Sequence, residues 1–200
     1  MLKTRILTAL ILAPIAVIGI FFLPPLGFAV FTGVAITLGA WEWANMAGYI
    51  SGPARAGYGA LVALILVAVY NLPTLPLLWL GLAWWLVALQ MVRVYPRASA
   101  LWSNPVVRGL MGLLVLVPAW VGLNHLRNGT LLFGELDSGL LAILYVFLVV
   151  WVADIGAYFS GKAFGKAKLA PRVSPGKSWA GVWGGLVAVA LLAIAAGLVA

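Results

Sequence analysis

Apolar residues run along this chain in long unbroken blocks separated by short polar stretches. They do not alternate as in a half-buried strand, and they do not fall on one face as in an amphipathic surface helix. Seven blocks predict seven membrane-spanning segments: Ile6–Leu23, Leu26–Met46, Gly57–Asn71, Leu75–Val92, Gly109–Leu126, Gly139–Tyr158 and Ser178–Ala200. A segment in lipid must satisfy its own backbone hydrogen bonds, so each is read as an α-helix. A transmembrane barrel would need alternating polarity, and none of these blocks has it. The first block follows a short basic N-terminus. No small-x-small cleavage site comes after it, so it reads as a retained span and not as a signal peptide.

Composition agrees with the pattern. Apolar residues make up 65 % of the 200 and charged residues only 8 %. That leaves too little polar surface for a soluble globular domain and too much apolar surface for a disordered one. There is no cysteine, which excludes disulfides, a thiolate zinc site and a thiol nucleophile. The expected fold class is all-α: a polytopic membrane helix bundle over residues 1–200 as a single domain.

The net charge of +8 is distributed by topology. Alternate loops hold Lys3 and Arg5; Arg55; Arg93, Arg97 and Arg108; and Lys162, Lys166, Lys168, Arg172 and Lys177. The other set holds only Arg127. The positive-inside rule therefore places the N-terminus and the basic loops in the cytoplasm. The basic charge needs no nucleic acid to explain it, and none is expected as a partner.

Three features carry candidate chemistry. Asp154 lies within the sixth span, about one turn from its cytoplasmic end. A carboxylate at mid-membrane costs about 2.5–3.5 kcal/mol on insertion scales, so it is read as facing the bundle interior and serving a site. An interfacial Asp paired with a loop lysine is the plainer alternative. Tyr158 and Gly161 follow at helical spacing on the same face. Glu42, between Trp41 and Trp43, is the second intramembrane acid, and its tryptophans favour an interfacial anchor. The cytoplasmic loop of about residues 160–177 is the third feature. Gly161, Gly165 and Gly176 allow close backbone approach, while Lys162, Lys166 and Lys177 supply charge. Ser174 and Ser178 stand at a predicted helix start, where free N–H groups suit an anion. This is a phosphate-binding composition. It is not a Walker A loop, because Pro171 stands where that pattern needs glycine and no strand is predicted before it.

Gly181, Gly184 and Gly185 form a small-residue face suited to close helix packing. His125 has no neighbouring ligands and is not read as catalytic. The chain stops within an apolar block at Ala200 without an interfacial flank. It is accordingly expected to be an N-terminal fragment, inactive alone.

The run Asp154-x-x-Ala157-Tyr158-x-x-Gly161-x-x-Phe164-Gly165-Lys166, then Leu169-x-Pro171, then Ser174-Pro175-x-Lys177-Ser178-Trp179-x-Gly181 and Gly184-Gly185, resembles the phosphatidate cytidylyltransferase (CDP-diacylglycerol synthase) family. Trp41-Glu42-Trp43 resembles its bacterial members. Ala180 departs from the glutamate or glutamine many members carry. The family's C-terminal motif, Ser-x-x-Lys-Arg-x4-Lys-Asp followed by Gly-His-Gly-Gly-x-x-Asp-Arg-x-Asp, is absent from these residues.

The resemblance implies a nucleotidyltransferase of phospholipid biosynthesis in the bacterial inner membrane, with its active face cytoplasmic. It joins CTP and phosphatidic acid into CDP-diacylglycerol and pyrophosphate. It implies Mg2+, with ligands expected beyond residue 200 and none assigned here. Asp154 and Lys177 would be catalytic. Tyr158, Gly161, Lys162, Gly165, Lys166, Ser174 and Ser178 would bind substrate. A homodimer is left open. Another CTP-dependent membrane lipid transferase or kinase, or a scaffold or transporter, would explain the same basic loop. A transporter would usually show a second half mirroring the first, which is not seen.

Overall fold

The computed structural model describes residues 14–129 and 138–199. α1 is helical over residues 14–21. It is followed by α2 (Pro25–Ala47), α3 (Gly52–Val69), α4 (Thr74–Val94), α5 (Pro105–Asn128), α6 (Ser138–Phe164) and α7 (Trp179–Val199). A 3-10 turn covers Ser99–Trp102, and two short strands, β1 (Lys168–Ala170) and β2 (Ser174–Ser178), lie between α6 and α7. Among the described residues six helices, α2 to α7, are long and apolar enough to cross a membrane. The chain is an all-α, multi-pass membrane protein. The first predicted span lies outside the described residues up to residue 13, and the rest of it is α1.

Helix boundaries follow capping chemistry more closely than hydropathy. α3 begins at Gly52, before the apolar block, because Ser51 accepts a hydrogen bond from the Ala54 N–H at 3.3 Å and Pro53 fits the first turn. α5 begins at Pro105 because the Asn104 side chain accepts from the Val106 N–H at 2.8 Å. α2 ends at Gly48, whose φ of 102° is left-handed. Its N–H closes back on the last turn, a conformation that glycine adopts without a Cβ penalty.

By its internal contacts the chain divides into two compact units. The first comprises Met1–Trp84 and Ser103–Gly129. Its core is Ala29, Ala40 and Ala44 of α2, Tyr58, Val62 and Leu66 of α3, and Val117, Trp120 and Val121 of α5. In a membrane the apolar surface of a helix is no drive to associate, so packing and interhelical hydrogen bonds must hold the unit. Three such bonds run from side chains to backbone carbonyls: Trp43 Nε1 to Arg108 at 2.9 Å, Tyr58 Oη to Gly109 at 2.7 Å, and Trp120 Nε1 to Ala29 at 3.1 Å. Arg127 donates to the carbonyls of Ile20 and Leu23, both at 3.3 Å. Its guanidinium thus caps the end of α1, as cations near a helix C-terminus do.

The second unit comprises Trp85–Trp102 and Thr130–Ala200, and α6 against α7 is its main contact. The seam is lined by Ala153, Gly156, Ala157 and Ser160 on α6 and by Gly181, Gly184, Gly185 and Ala188 on α7. A Cβ at Gly156 would stand 2.7 Å from both the Gly184 carbonyl and the Ala188 methyl. One at Gly185 would stand 3.0 Å from the Ala153 carbonyl, and one at Gly184 would meet the Ser160 side chain. The expected close packing of α7 is therefore present, with α6 as its partner.

Candidate active site

The nine site residues named by the sequence lie on α6, on β2 or in the short link between α6 and β1. α6 continues to Phe164, past the predicted end at Tyr158. Asp154, Tyr158, Gly161 and Lys162 therefore share one rigid helix, and only the part of the expected loop after Phe164 leaves it. That part is itself ordered into a hairpin. β1 and β2 pair antiparallel, with Lys168 opposite Ser178 and Ala170 opposite Ser174. Pro175 and Gly176 disfavour a strand, which is why the sequence reads as loop, but a two-stranded edge tolerates both. Gly176-Lys177-Ser178 lies inside β2, and this excludes a Walker A loop on geometry as well as on spacing.

Ser178 is the pivot. Its hydroxyl accepts a hydrogen bond from the Gly181 N–H at 3.2 Å and so caps α7. A Cβ at Gly161 would stand 3.3 Å from that oxygen and one at Gly165 2.8 Å from it. Gly161 and Gly165 thus bring the last turns of α6 against the hairpin's end, where larger residues would push them apart. Trp179 donates its N–H to Ala167 at 3.0 Å and closes the hairpin onto α7. Two of the first N–H groups of α7, those of Trp179 and Gly181, are therefore satisfied within the protein. The expectation that this helix start presents free N–H groups to a phosphate is correspondingly narrowed. Ser178 is only 6 % exposed and acts as a cap.

The charged groups face outward. Lys162, Lys166, Lys168, Arg172 and Lys177 are all at least partly exposed, and Ser174 is half-buried beside them in β2. Lys177 and Ser178 are adjacent in an extended strand, so they project to opposite sides. The serine enters the packed junction and the lysine stays free. Lys162 lies over the Tyr158 ring, 5.9 Å from its centroid. It also sits in the last turn of α6, where a cation complements the helix dipole. Lys168 is not among the residues singled out by sequence. The hairpin register adds it by setting it across from Ser178, and nothing in the local composition reveals that pairing.

Asp154 and Tyr158 occupy the flank of α6 beside the α7 seam, not the seam itself, and both are exposed in this unit. The α6–α7 seam is formed by Ala153, Gly156, Ala157 and Ser160 on α6, whose close approach to α7 leaves no room there for a carboxylate. Asp154 has no ion pair or hydrogen bond among the described residues, so the plainer alternative, pairing with a loop lysine, is not observed there either.

Glu42 is likewise exposed. Its neighbours anchor the first unit: Trp43 through Arg108, and Trp41 through Arg55, whose guanidinium lies 5.9 Å from the ring centroid. His125 Nδ1 pairs with the Thr74 hydroxyl at 3.3 Å, a structural contact. Among the described residues no cluster of three or more His, Cys, Asp or Glu is placed to hold a metal.

A sequence model described as the cytidylyltransferase family matches residues 3–200. The chain is 53 % identical over 188 residues to a phosphatidate cytidylyltransferase of Pseudomonas aeruginosa, covering 93 % of this chain and 67 % of that protein. It is 39 % identical over 207 residues to one of Haemophilus influenzae, covering 96 % and 72 %. It is 32 % identical over 209 residues to one of Brucella suis, covering 98 % and 66 %. The chain thus spans about two thirds of the length of these relatives. No solved structure matches it.

Proposed function

The chain belongs to the cytidylyltransferase family, a family of nucleotidyltransferases, and on that footing we propose that it transfers a cytidylyl group from CTP to phosphatidic acid at the basic end of α6. The products would be CDP-diacylglycerol, for phospholipid synthesis, and pyrophosphate. A phosphate oxygen of the lipid attacks the α-phosphorus of CTP. The new P–O bond forms as the bond to the β-phosphate bridging oxygen breaks, and pyrophosphate leaves with the electron pair.

Negative charge builds on the leaving pyrophosphate, and fixed cations that stabilise it lower the barrier. Lys166 and Lys177 are assigned to that charge. Gly161, Gly165 and Ser178 hold the hairpin that carries Lys177. Ser174 shapes the same strand, and Tyr158 with Lys162 presents a hydroxyl and an ammonium on α6. The observation that carries this reading is the junction of α6, β2 and α7: it fixes the strand bearing Lys177 by a buried serine and leaves the lysine exposed. One substrate is a lipid and the other is water-soluble, so a site at the cytoplasmic ends of membrane helices serves both.

Mg2+ would supply further charge neutralisation on the triphosphate. Magnesium commonly binds one or two carboxylates together with substrate phosphates. The unpaired, exposed Asp154 fits the role of one such carboxylate, and no further ligand is assigned from this chain. Asp154 otherwise serves to orient a lysine.

The test is CTP turnover by the protein expressed from its full reading frame, in mixed micelles with phosphatidic acid. Both lipid and soluble products are identified. CDP-diacylglycerol and pyrophosphate are expected, and CDP would indicate a kinase instead. Lys177→Ala should lower kcat by about 10²-fold, the scale of losing one transition-state contact. Unchanged turnover would remove Lys177 from the mechanism.

A further inference from the structure

A second cationic feature of the same unit shares Trp179 with the Ser178 junction but none of its lysines. The end of α4 and the turn of the hairpin enclose a groove of about 600 Å³. Arg93 and Tyr95 line it on one side, and Arg172 with Trp179 lines it on the other. Leu89 and Leu169 form its apolar walls. Both arginines are exposed, and neither has an ion pair or hydrogen bond among the described residues.

Arg93 sits in the last turn of α4, where a cation complements the helix dipole. That accounts for its presence but not for a second guanidinium brought to the same groove from seventy-nine residues further on. Two unpaired guanidiniums facing one space repel each other and gain from a shared anion. Guanidinium forks match phosphate oxygens. Tyr and Trp at the ends of membrane helices sit at headgroup depth. Apolar walls continuing from the guanidiniums along α4 suit acyl chains.

We propose that this groove binds an anionic glycerophospholipid, with its phosphate between Arg93 and Arg172 and its upper acyl chains against Leu89 and Leu169. The groove's binding of lipid does not depend on the lysine assignments at the Ser178 junction. The phosphate can come from a monoester headgroup, as in phosphatidic acid, or from a diester, as in phosphatidylglycerol.

The full-reading-frame protein, purified in nanodiscs and without CTP, is scored by native mass spectrometry for retained lipid. Discs of phosphatidylcholine are doped with equal phosphatidic acid and phosphatidylglycerol. Wild-type protein should retain anionic lipid over phosphatidylcholine. The Arg93→Ala/Arg172→Ala double variant should retain about tenfold less of it. Arg97→Ala, which removes a neighbouring charge that does not line the groove, should retain as much as wild type.

Preference for phosphatidic acid would make the groove a holding site for the substrate lipid. Equal retention of both anionic lipids would make it a general anionic-lipid site. Unchanged retention in the double variant, equal loss of phosphatidylcholine, or the same loss in Arg97→Ala would each overturn the proposal. Circular dichroism and thermal unfolding identify a variant that has failed to fold. In that case the single Arg172→Lys variant, which keeps the charge but loses the fork, replaces it. It should retain less anionic lipid than wild type, and equal retention would overturn the proposal. Because no CTP is present, a negative result here leaves the turnover test of Lys177 untouched.

Discussion

The Ser178 hydroxyl accepts the Gly181 N–H at 3.2 Å, so one buried side chain both ends the hairpin and starts α7. The sequence places this serine in a phosphate-binding run, and here its oxygen accepts a capping hydrogen bond. Ser178→Ala should cost about 1 kcal/mol, whereas Ser178→Gly should cost only a few tenths, because glycine is a tolerable N-cap. Thermal unfolding of the two variants in detergent checks this. If the hydroxyl instead acted mainly on substrate, both variants would lose the same turnover at unchanged stability.

The α6–α7 seam makes a sharper demand. Gly156 has no room for a Cβ, with the Gly184 carbonyl and Ala188 methyl both 2.7 Å from where it would stand. Gly156→Val should destabilise the protein by about 1–3 kcal/mol through overpacking. Gly197→Ala is the control, since nothing lies within 4 Å of its Cβ position. It should stay within about 0.5 kcal/mol of wild type. Unfolding midpoints in one detergent would rank the two, and equal midpoints would mean that the helices do not meet at Gly156.

In the first unit, Trp43 and Tyr58 donate to the adjacent carbonyls of Arg108 and Gly109 on α5. Trp43→Phe and Tyr58→Phe each remove one donor and should each cost about 0.5–1.5 kcal/mol. Residues sharing one neighbourhood are rarely additive. A double-mutant cycle on unfolding free energy should therefore show coupling between them of at least about 0.5 kcal/mol. Strict additivity would mean that the two bonds act independently in holding α5.

These residues also mark what can be read from sequence. The spans of α2, α4 and α7 lie within a few residues of the apolar blocks that predict them, because lipid leaves the backbone no alternative. The starts of α3 and α5 lie earlier than the blocks suggest. Ser51 and Asn104 set them by capping, and a hydropathy window passes over a polar residue that begins a helix. The β-hairpin is hidden by Pro175 and Gly176, and its register by the lack of any alternating pattern. Trp43 is visible as an interfacial tryptophan, but its partner at Arg108 is sixty-five residues away and comes only from the packing of α2 on α5. The glycines of the site motif are legible as glycines. That Gly161 and Gly165 are needed to admit Ser178 is visible only once α6 is known to continue to Phe164.

Asp154, exposed on the flank of α6 within its unit, gives the most informative substitution. It stands outside the α6–α7 seam with Tyr158 one turn away. An exposed carboxylate that supports no packing should be replaceable by its neutral isostere without loss of stability, so Asp154→Asn should unfold at the wild-type temperature. A carboxylate that orients a lysine or meets a metal on the triphosphate would still be missed in the reaction. Asp154→Asn should then lower kcat by about tenfold or more, on the order of the charge-stabilising contacts measured in other enzymes. Asp154→Glu, which keeps the charge on a longer arm, should recover part of that loss. Turnover of both variants in phosphatidic acid micelles across a range of Mg2+ separates the two roles. A loss that excess Mg2+ relieves places the carboxylate at the metal, and one that it does not relieve places it at a lysine. Full activity in Asp154→Asn would leave the residue as an interfacial anchor and would shift the chemistry onto the lysines of the hairpin.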